Sequence, residues 1–250
     1  MMNPLDQERP LVTVVTPTTG SPFLRQAIAS VQAQSYSPIQ HLVFVDGPRE
    51  GASAILAEFP HVDVVQLPYA TGTQQYLGHR IYGASAYLAR GQLITFLDDD
   101  NWMDTDHIAS LAAVIARGND WAYSLRKIYD QDQRFICDDN CESLGRWHSC
   151  LDPNDFLVDT SCYMMKKRVA LAVSPLWHRR ARQPGRPSAD RTICTSLLKM
   201  AFRFDTTGLH SLNYRAGNRS DSVETDFFLD GNRKMRETHG DALPWLTRHG

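Results

Sequence analysis

Long apolar runs are missing from this 250-residue chain. No stretch approaches the ~18 consecutive apolar residues of a membrane-spanning helix. The opening "MMNPLDQERP" lacks the basic and apolar halves of a secretion signal. Cysteine is scarce: five residues, an odd number. That argues against a disulfide framework and for a reducing compartment, so a cytoplasmic protein is expected. Neither sign of charge dominates. Lys and Arg number 26 and Asp and Glu 28, a net charge of −2, and the sequence pI is about 6.5. A general nucleic-acid binder usually carries a basic excess, so the charge argues against that class, although it does not exclude a local basic patch. No internal repeat and no linker divides the chain. At 42% hydrophobic and 22% charged residues, it can bury the core of one continuous domain spanning 1–250.

What is there is an alternation. "LVTVVT" (11–16) is a short β-branched run, the profile of a buried parallel strand. Ser21 and Pro22 suit the N-cap and first position of a helix over 22–34, with Leu24, Ile28 and Val31 on one face. "QHLVFVD" (40–46) is a second strand, ended by Gly47-Pro48. A helix over 51–59 and a strand over 61–67 follow, then a helix over about 74–89 and a strand at "QLITFL" (92–97). Asp104 or Thr105 could cap the next helix, which reaches Gly118. This order predicts an α/β fold with a doubly wound, mostly parallel sheet flanked by helices. Ligands of such sheets bind beyond the carboxyl ends of the strands, where Thr16, Asp46 and Asp98 stand. The second half is less regular. It offers a hairpin over 121–137, a polar loop over 138–160 and a strand over 161–167. A basic loop (178–190), a helix (191–201), a strand (210–215) and a terminal helix (224–239) follow.

The fourth strand runs straight into Asp98, Asp99 and Asp100. Adjacent carboxylates repel one another, so a fold gains nothing from them. Their commonest use is to hold a hard divalent cation, Mn²⁺ or Mg²⁺, which then bridges a phosphate-bearing substrate. The plainer alternative is a solvated cluster that caps a helix. Cys137, Cys141, His148 and Cys150 are four soft ligands within 14 residues. They could hold zinc or simply pack as small apolar groups.

The segments "LVTVVTPTTG", "SVQAQSY", "HLVFVDG" and "ARGQLITFLDDDNW", in that order, resemble glycosyltransferase family 2. The resemblance covers 11–117 well and the remainder loosely. It implies the GT-A fold, with a nucleotide-sugar half over about 11–117 and an acceptor half over about 118–250. It implies a metal-dependent, inverting transfer of sugar from a nucleotide-diphospho donor, a UDP-sugar, to an acceptor hydroxyl of unknown identity. By that resemblance Thr16, Pro17 and Thr18 line the base and ribose. Asp46, followed by Gly47, accepts a hydrogen bond from the base; otherwise it is a turn residue. Asp98 and Asp99 contact the ribose or support the metal, and Asp100 faces the diphosphate as the main metal ligand.

The family's "ARNxG" segment is absent. In "LGHRIYGASAYLARG", Arg80 is the candidate for the donor phosphates, since a guanidinium suits phosphate geometry; the alternative is a surface Arg. His79 beside it is a weaker candidate. The family's base stands near the start of a helix after a flexible loop, which points to Asp190 in "PSADRTICTSLL", with Asp155 and Asp159 as competitors. Asp190 could instead cap its helix. Arg179, Arg180, Arg182 and Arg186 precede it and could close over a diphosphate. The family's late His is replaced by Asn218, with His210 as a substitute ligand. Trp102 and Trp147 could floor an acceptor ring. The Q-x-x-R-W motif of processive synthases is missing, so transfer of one sugar is expected. A sugar-phosphate nucleotidyltransferase, or a module that binds without turnover, are the alternatives.

Overall fold

The computed structural model describes residues 9–179, 188–218 and 222–246. Nine strands form one mixed sheet in the order β3-β2-β1-β4-β8-β6-β9-β5, with β7 paired to β6. The first four are β1 (Val12–Thr18), β2 (Ile39–Val45), β3 (Asp63–Gln66) and β4 (Leu93–Phe96), all parallel as the alternation predicts. Between them run α1 (Leu24–Gln32), α2 (Glu50–Leu56) and α3 (His79–Leu88). Beyond β4 the sheet turns mixed. β8 (Tyr163–Lys166) lies antiparallel to both β4 and β6 (Trp121–Tyr129), and β9 (Phe204–Arg215) runs parallel to β6. The expected hairpin is β6 with β7 (Phe135–Asp138), and a two-residue β5 (Trp102–Met103) pairs with β9. α4 (His107–Ala116), α5 (Lys167–Val173), α6 (Ala189–Lys199) and α7 (Thr225–His239) complete the chain.

Alternation along β2 shows how the sheet is sandwiched. Leu42 and Phe44 join the large core cluster, while Val43 and Val45 join a smaller one with Leu24 and Ile28 of α1 and Ile55 of α2. Both faces are covered, so β2 is a continuous apolar run rather than an alternating one.

Local capping differs from expectation at two helices. Ser21 caps the turn before α1, where its Oγ accepts from the Phe23 amide at 3.2 Å, and the helix starts three residues later. Asp104 does not cap α4. Its carboxylate accepts from Lys127 Nζ at 2.6 Å and Asn213 Nδ2 at 2.8 Å, and these tertiary partners outcompete the helix end.

Two histidines are sealed inside. His41 of β2 bonds Thr16 Oγ1 through Nε2 at 3.0 Å, and burial pushes its pKa down to about 3. His107 bonds Ser211 Oγ at 2.9 Å and is pushed down to about 4, again by burial. Both stay neutral in the folded chain while the unfolded chain protonates them near 6.5. Their contribution is therefore complete above pH 6.5 and is lost as pH falls towards the folded values. In that window each pH unit removes about 1.4 kcal/mol per histidine. Glu142 and Asp159, pushed up by burial, act in the opposite sense at lower pH. Denaturant midpoints between pH 7 and 5 should fall for the native chain, and less steeply for His41→Gln. An unchanged slope in the variant would mean that His41 is not held neutral.

Candidate active site

A cavity of about 1220 Å³ opens beyond the carboxyl ends of β1, β2 and β4. Pro17, Thr18, Asp46, Asp98, Asp99 and Asp100 line one side, and Asp190 and Ser188 line the other. Sequence reading thus brings both halves of its candidate site to one space. Thr16, Gly47 and Arg80 are not in that lining. Thr16 is buried in the sheet against His41, because the inward and outward sides of a strand alternate.

The three adjacent carboxylates coexist because each turns to a different element. Thr18 Oγ1 of β1 donates to Asp99 Oδ2 at 2.6 Å. Tyr82 of α3 donates its hydroxyl to Asp98 Oδ1. Burial first, then the charge of Asp98, raises the Tyr82 pKa well above its usual value, so the phenol stays a donor. Ser161, in the 3₁₀ turn Thr160–Cys162, accepts from the Asp98 amide at 3.0 Å and donates to Asp98 Oδ2 at 3.3 Å. Asp100 Oδ2 accepts from Asn218 Nδ2 at 2.8 Å. His210 lies elsewhere: Nδ1 is 4.0 Å from Asp138 Oδ2, outside the cavity lining. As a substitute metal ligand it is misplaced.

Asp46 ends β2 under a strap formed by residues 71–78. Oδ1 accepts from the Thr71 amide at 2.6 Å and the Thr71 hydroxyl at 2.8 Å, and Oδ2 accepts from the Gly72 amide at 2.8 Å. The glycines make this approach possible. A Cβ at Gly72 would stand 2.9 Å from Asp46 Oδ2 and 2.6 Å from the Leu77 carbonyl oxygen. Gly47 (φ +85°) would meet the Ala70 amide nitrogen at 2.8 Å. The strap also replaces the first turn expected of α3. Gln74, Gln75 and Leu77 hold φ of 58°, 68° and 49°, a left-handed backbone costing such residues about 1–2 kcal/mol each. Tertiary bonds to Asp46 and Arg80 override the local helical preference here.

Arg126 forms the floor. It lies buried in the middle of β6 and meets Asp139, Glu142 and Asp159 at 2.8, 2.5 and 2.6 Å. Arg191 of α6 joins the network through Glu142 at 2.7 Å and through Asp155. Burial drives Glu142 and Asp159 upward against the pull of Arg126. Asp155 also receives Ser149 Oγ. Both competitors for the base role are thereby committed to guanidinium partners. Asp190 is not the N-cap of α6; Ser188 holds that position, and its hydroxyl donates to Asp190 Oδ1, as does the Arg191 amide at 2.9 Å. His79 also lines the cavity, packed on Trp177 at 6.0 Å between centroids. Burial lowers its pKa, and the nearby Asp190 charge pulls it back up.

Several expected residues stand aside. Arg80 lies over the Tyr76 ring, 3.4 Å from the centroid. Trp102 packs on Tyr129 at 4.8 Å and Trp147 on Trp245 at 6.3 Å, and neither lines the cavity. Arg179 is exposed, and Arg180, Arg182 and Arg186 lie outside the described residues. Cys141 is buried with its thiol donating to Asp139 Oδ1 at 3.4 Å, and His148 Nδ1 meets the Ser149 carbonyl at 3.0 Å. Among the described residues no three His, Cys, Asp or Glu gather as a metal group, the four soft zinc candidates included. Asn218 turns its amide nitrogen to Asp100 while its Oδ1 accepts from Ser222 Oγ, so the carboxylates of Asp98 and Asp100 make no closed cage. They fit a hard cation shared with a diphosphate, which takes only one or two carboxylates from protein.

The family model described as Glycosyl transferase family 2 matches residues 13–166. No curated protein matches by sequence. Among solved structures, S. aureus TarS 1-349 superposes with a TM-score of 0.61 at 13% identity, over 92% of this chain and 72% of that one. The same protein in complex with UDP-GlcNAc gives 0.61 at 13%, over 86% and 60%. In complex with UDP it gives 0.59 at 14%, over 90% and 64%. At these identities the likeness shows the fold, a curled mixed sheet with flanking helices of the GT-A kind. Among the described residues no helix is long and apolar enough to cross a membrane.

Proposed function

The chain belongs to Glycosyl transferase family 2, and from that premise we propose that it moves one sugar from a UDP-linked donor to an acceptor hydroxyl with inversion, assisted by Mn²⁺ or Mg²⁺. The observation that carries this reading is the facing arrangement in one cavity. Three separately anchored aspartates stand at the end of β4, and the Asp190 carboxylate stands at the start of α6.

The donor side is built by the first half of the chain. Asp46 uses Oδ1 for two donors and Oδ2 for one, which leaves Oδ2 a site for the N–H of a base edge. A uracil imide supplies that N–H; a cytosine ring nitrogen does not. That TarS is solved with UDP and with UDP-GlcNAc supports the same donor class here. Thr18 and Asp99 form the adjoining wall for the ribose. When bound, the cation would rest on Asp100 and Asp98 and would neutralise charge on the departing diphosphate.

The acceptor side is built by the second half. Asp190 accepts the proton of the acceptor hydroxyl as that oxygen attacks the anomeric carbon from the face opposite the leaving group. Ser188 and the Arg191 amide engage Oδ1, so Oδ2 is the oxygen left for the proton. His79, which feels the Asp190 charge, and Tyr82, bonded to Asp98, wall the space between the two sides.

Incubation with a UDP-sugar and Mn²⁺ should release UDP slowly, with water as acceptor. Pyrophosphate release from a sugar phosphate and a nucleoside triphosphate would identify a nucleotidyltransferase instead. Tight UDP binding with neither reaction would identify a binding module.

A further inference from the structure

Arg80 is the strongest sequence candidate for the donor phosphates, yet its guanidinium is turned away from the cavity. Nη1 donates to the Thr71 carbonyl oxygen at 3.3 Å, and the guanidinium carbon sits 3.4 Å from the Tyr76 ring centroid. Both contacts lie on the strap, one at its start and one in its second half. The strap needs holding. Gln74, Gln75 and Leu77 are three side-chain-bearing residues in left-handed backbone, a conformation they leave unless neighbours oppose it. Its inner edge, Thr71 and Gly72, is what grips Asp46 through three hydrogen bonds. A chain of contacts therefore runs from Arg80 through the strap to the carboxylate that meets the base.

We propose that Arg80 is a positioning residue for base selection: it latches the 71–78 strap so that Thr71 and Gly72 fix the Asp46 carboxylate with one oxygen site turned to a base whose ring N3 carries a hydrogen. It acts through the strap and Asp46 and does not meet the diphosphate. This rests on Asp46 as the base contact. The consequence is specific. Loosening Arg80 lets the carboxylate rotate, so the preference for a base with a hydrogen on ring N3 weakens, while whatever the diphosphate contributes is untouched.

The test compares UDP with CDP, which share ribose and diphosphate and differ in the base edge. Kd values are measured for both with native chain, Arg80→Gln, Arg80→Lys and Asp46→Asn. The native chain should favour UDP. Arg80→Gln should weaken UDP about tenfold, the scale of a stacked cation with its hydrogen bond, and leave CDP nearly unchanged, so that the preference collapses. Arg80→Lys, which keeps the charge but loses the planar fork, should lie between. Amide exchange across 71–78 should accelerate in Arg80→Gln, a readout independent of ligand. If Arg80→Gln weakens UDP and CDP by the same factor, Arg80 meets the diphosphate and the proposal falls. If neither affinity moves, the latch has no role and the proposal falls too. A native chain with no UDP preference, or Asp46→Asn with native preference, would instead overturn the reading of Asp46 itself.

Discussion

In the Asp100→Ala chain, Mn²⁺ should no longer strengthen UDP binding, and UDP affinity in the presence of the ion should fall by about a hundredfold or more. Asp100 is half-buried where Asp99 beside it is buried, and the backbone around it stays tied. The Asn101 amide donates to the Asp98 carbonyl at 3.2 Å, and Arg215 Nε donates to the Asp100 carbonyl at 3.2 Å. The side chain itself receives Asn218 Nδ2. Losing that bond costs about 1 kcal/mol of stability, so the fold persists and the loss is confined to the ligand. Calorimetric titration of UDP with and without Mn²⁺ checks this. Native-like metal enhancement in the variant would discredit Asp100 as a ligand.

Asp190→Asn should have the second large effect, of a different kind. The amide preserves shape and keeps an oxygen to accept from Ser188 and the Arg191 amide, but it cannot take a proton. UDP affinity should stay within about twofold, while release of UDP from the sugar donor should slow by about a thousandfold, the usual worth of a general base. The site offers no ready replacement. Asp159 is bound by Arg126 Nη1 at 2.6 Å and by the Ser161 amide at 2.9 Å, and Asp155 is bound by Arg191 and Ser149. A variant that turns over within about tenfold of the native rate would place the base elsewhere.

Sequence periodicity located β1, β2 and β4, and with them the side of the sheet where the site lies. It did so because strands buried on both faces are short, apolar and bounded by turn chemistry. The acids at 98–100 stood out for the converse reason: charge directly after such a strand has no packing role. What anchors them was not legible. Thr18 lies 81 residues from Asp99 in sequence, Ser161 lies 63 from Asp98, and Asn218 lies 118 from Asp100. No local pattern records such partners. The strap was misread as helix because Gln74, Gln75 and Leu77 carry no turn signature; their left-handed backbone is imposed by Asp46 and Arg80 from outside the segment. Arg126 did leave a trace, a charge inside the strand sequence "WAYSLRKIY" on the face opposite to its neighbour Lys127. A charge there must be paired to be tolerated, and its three carboxylates come from the 138–160 stretch that reads as polar loop. The early half of β9 was missed because its register against β6 shifts near Leu125, which breaks the regular alternation of faces.

Diffraction from crystals grown with a UDP-sugar and Mn²⁺, with manganese located by its anomalous signal, probes the whole account at once. The metal should appear between Asp100 and the diphosphate oxygens, with the uracil edge at Asp46 and the anomeric carbon facing Asp190. Manganese and nucleotide lodged together away from the end of β4 would contradict it.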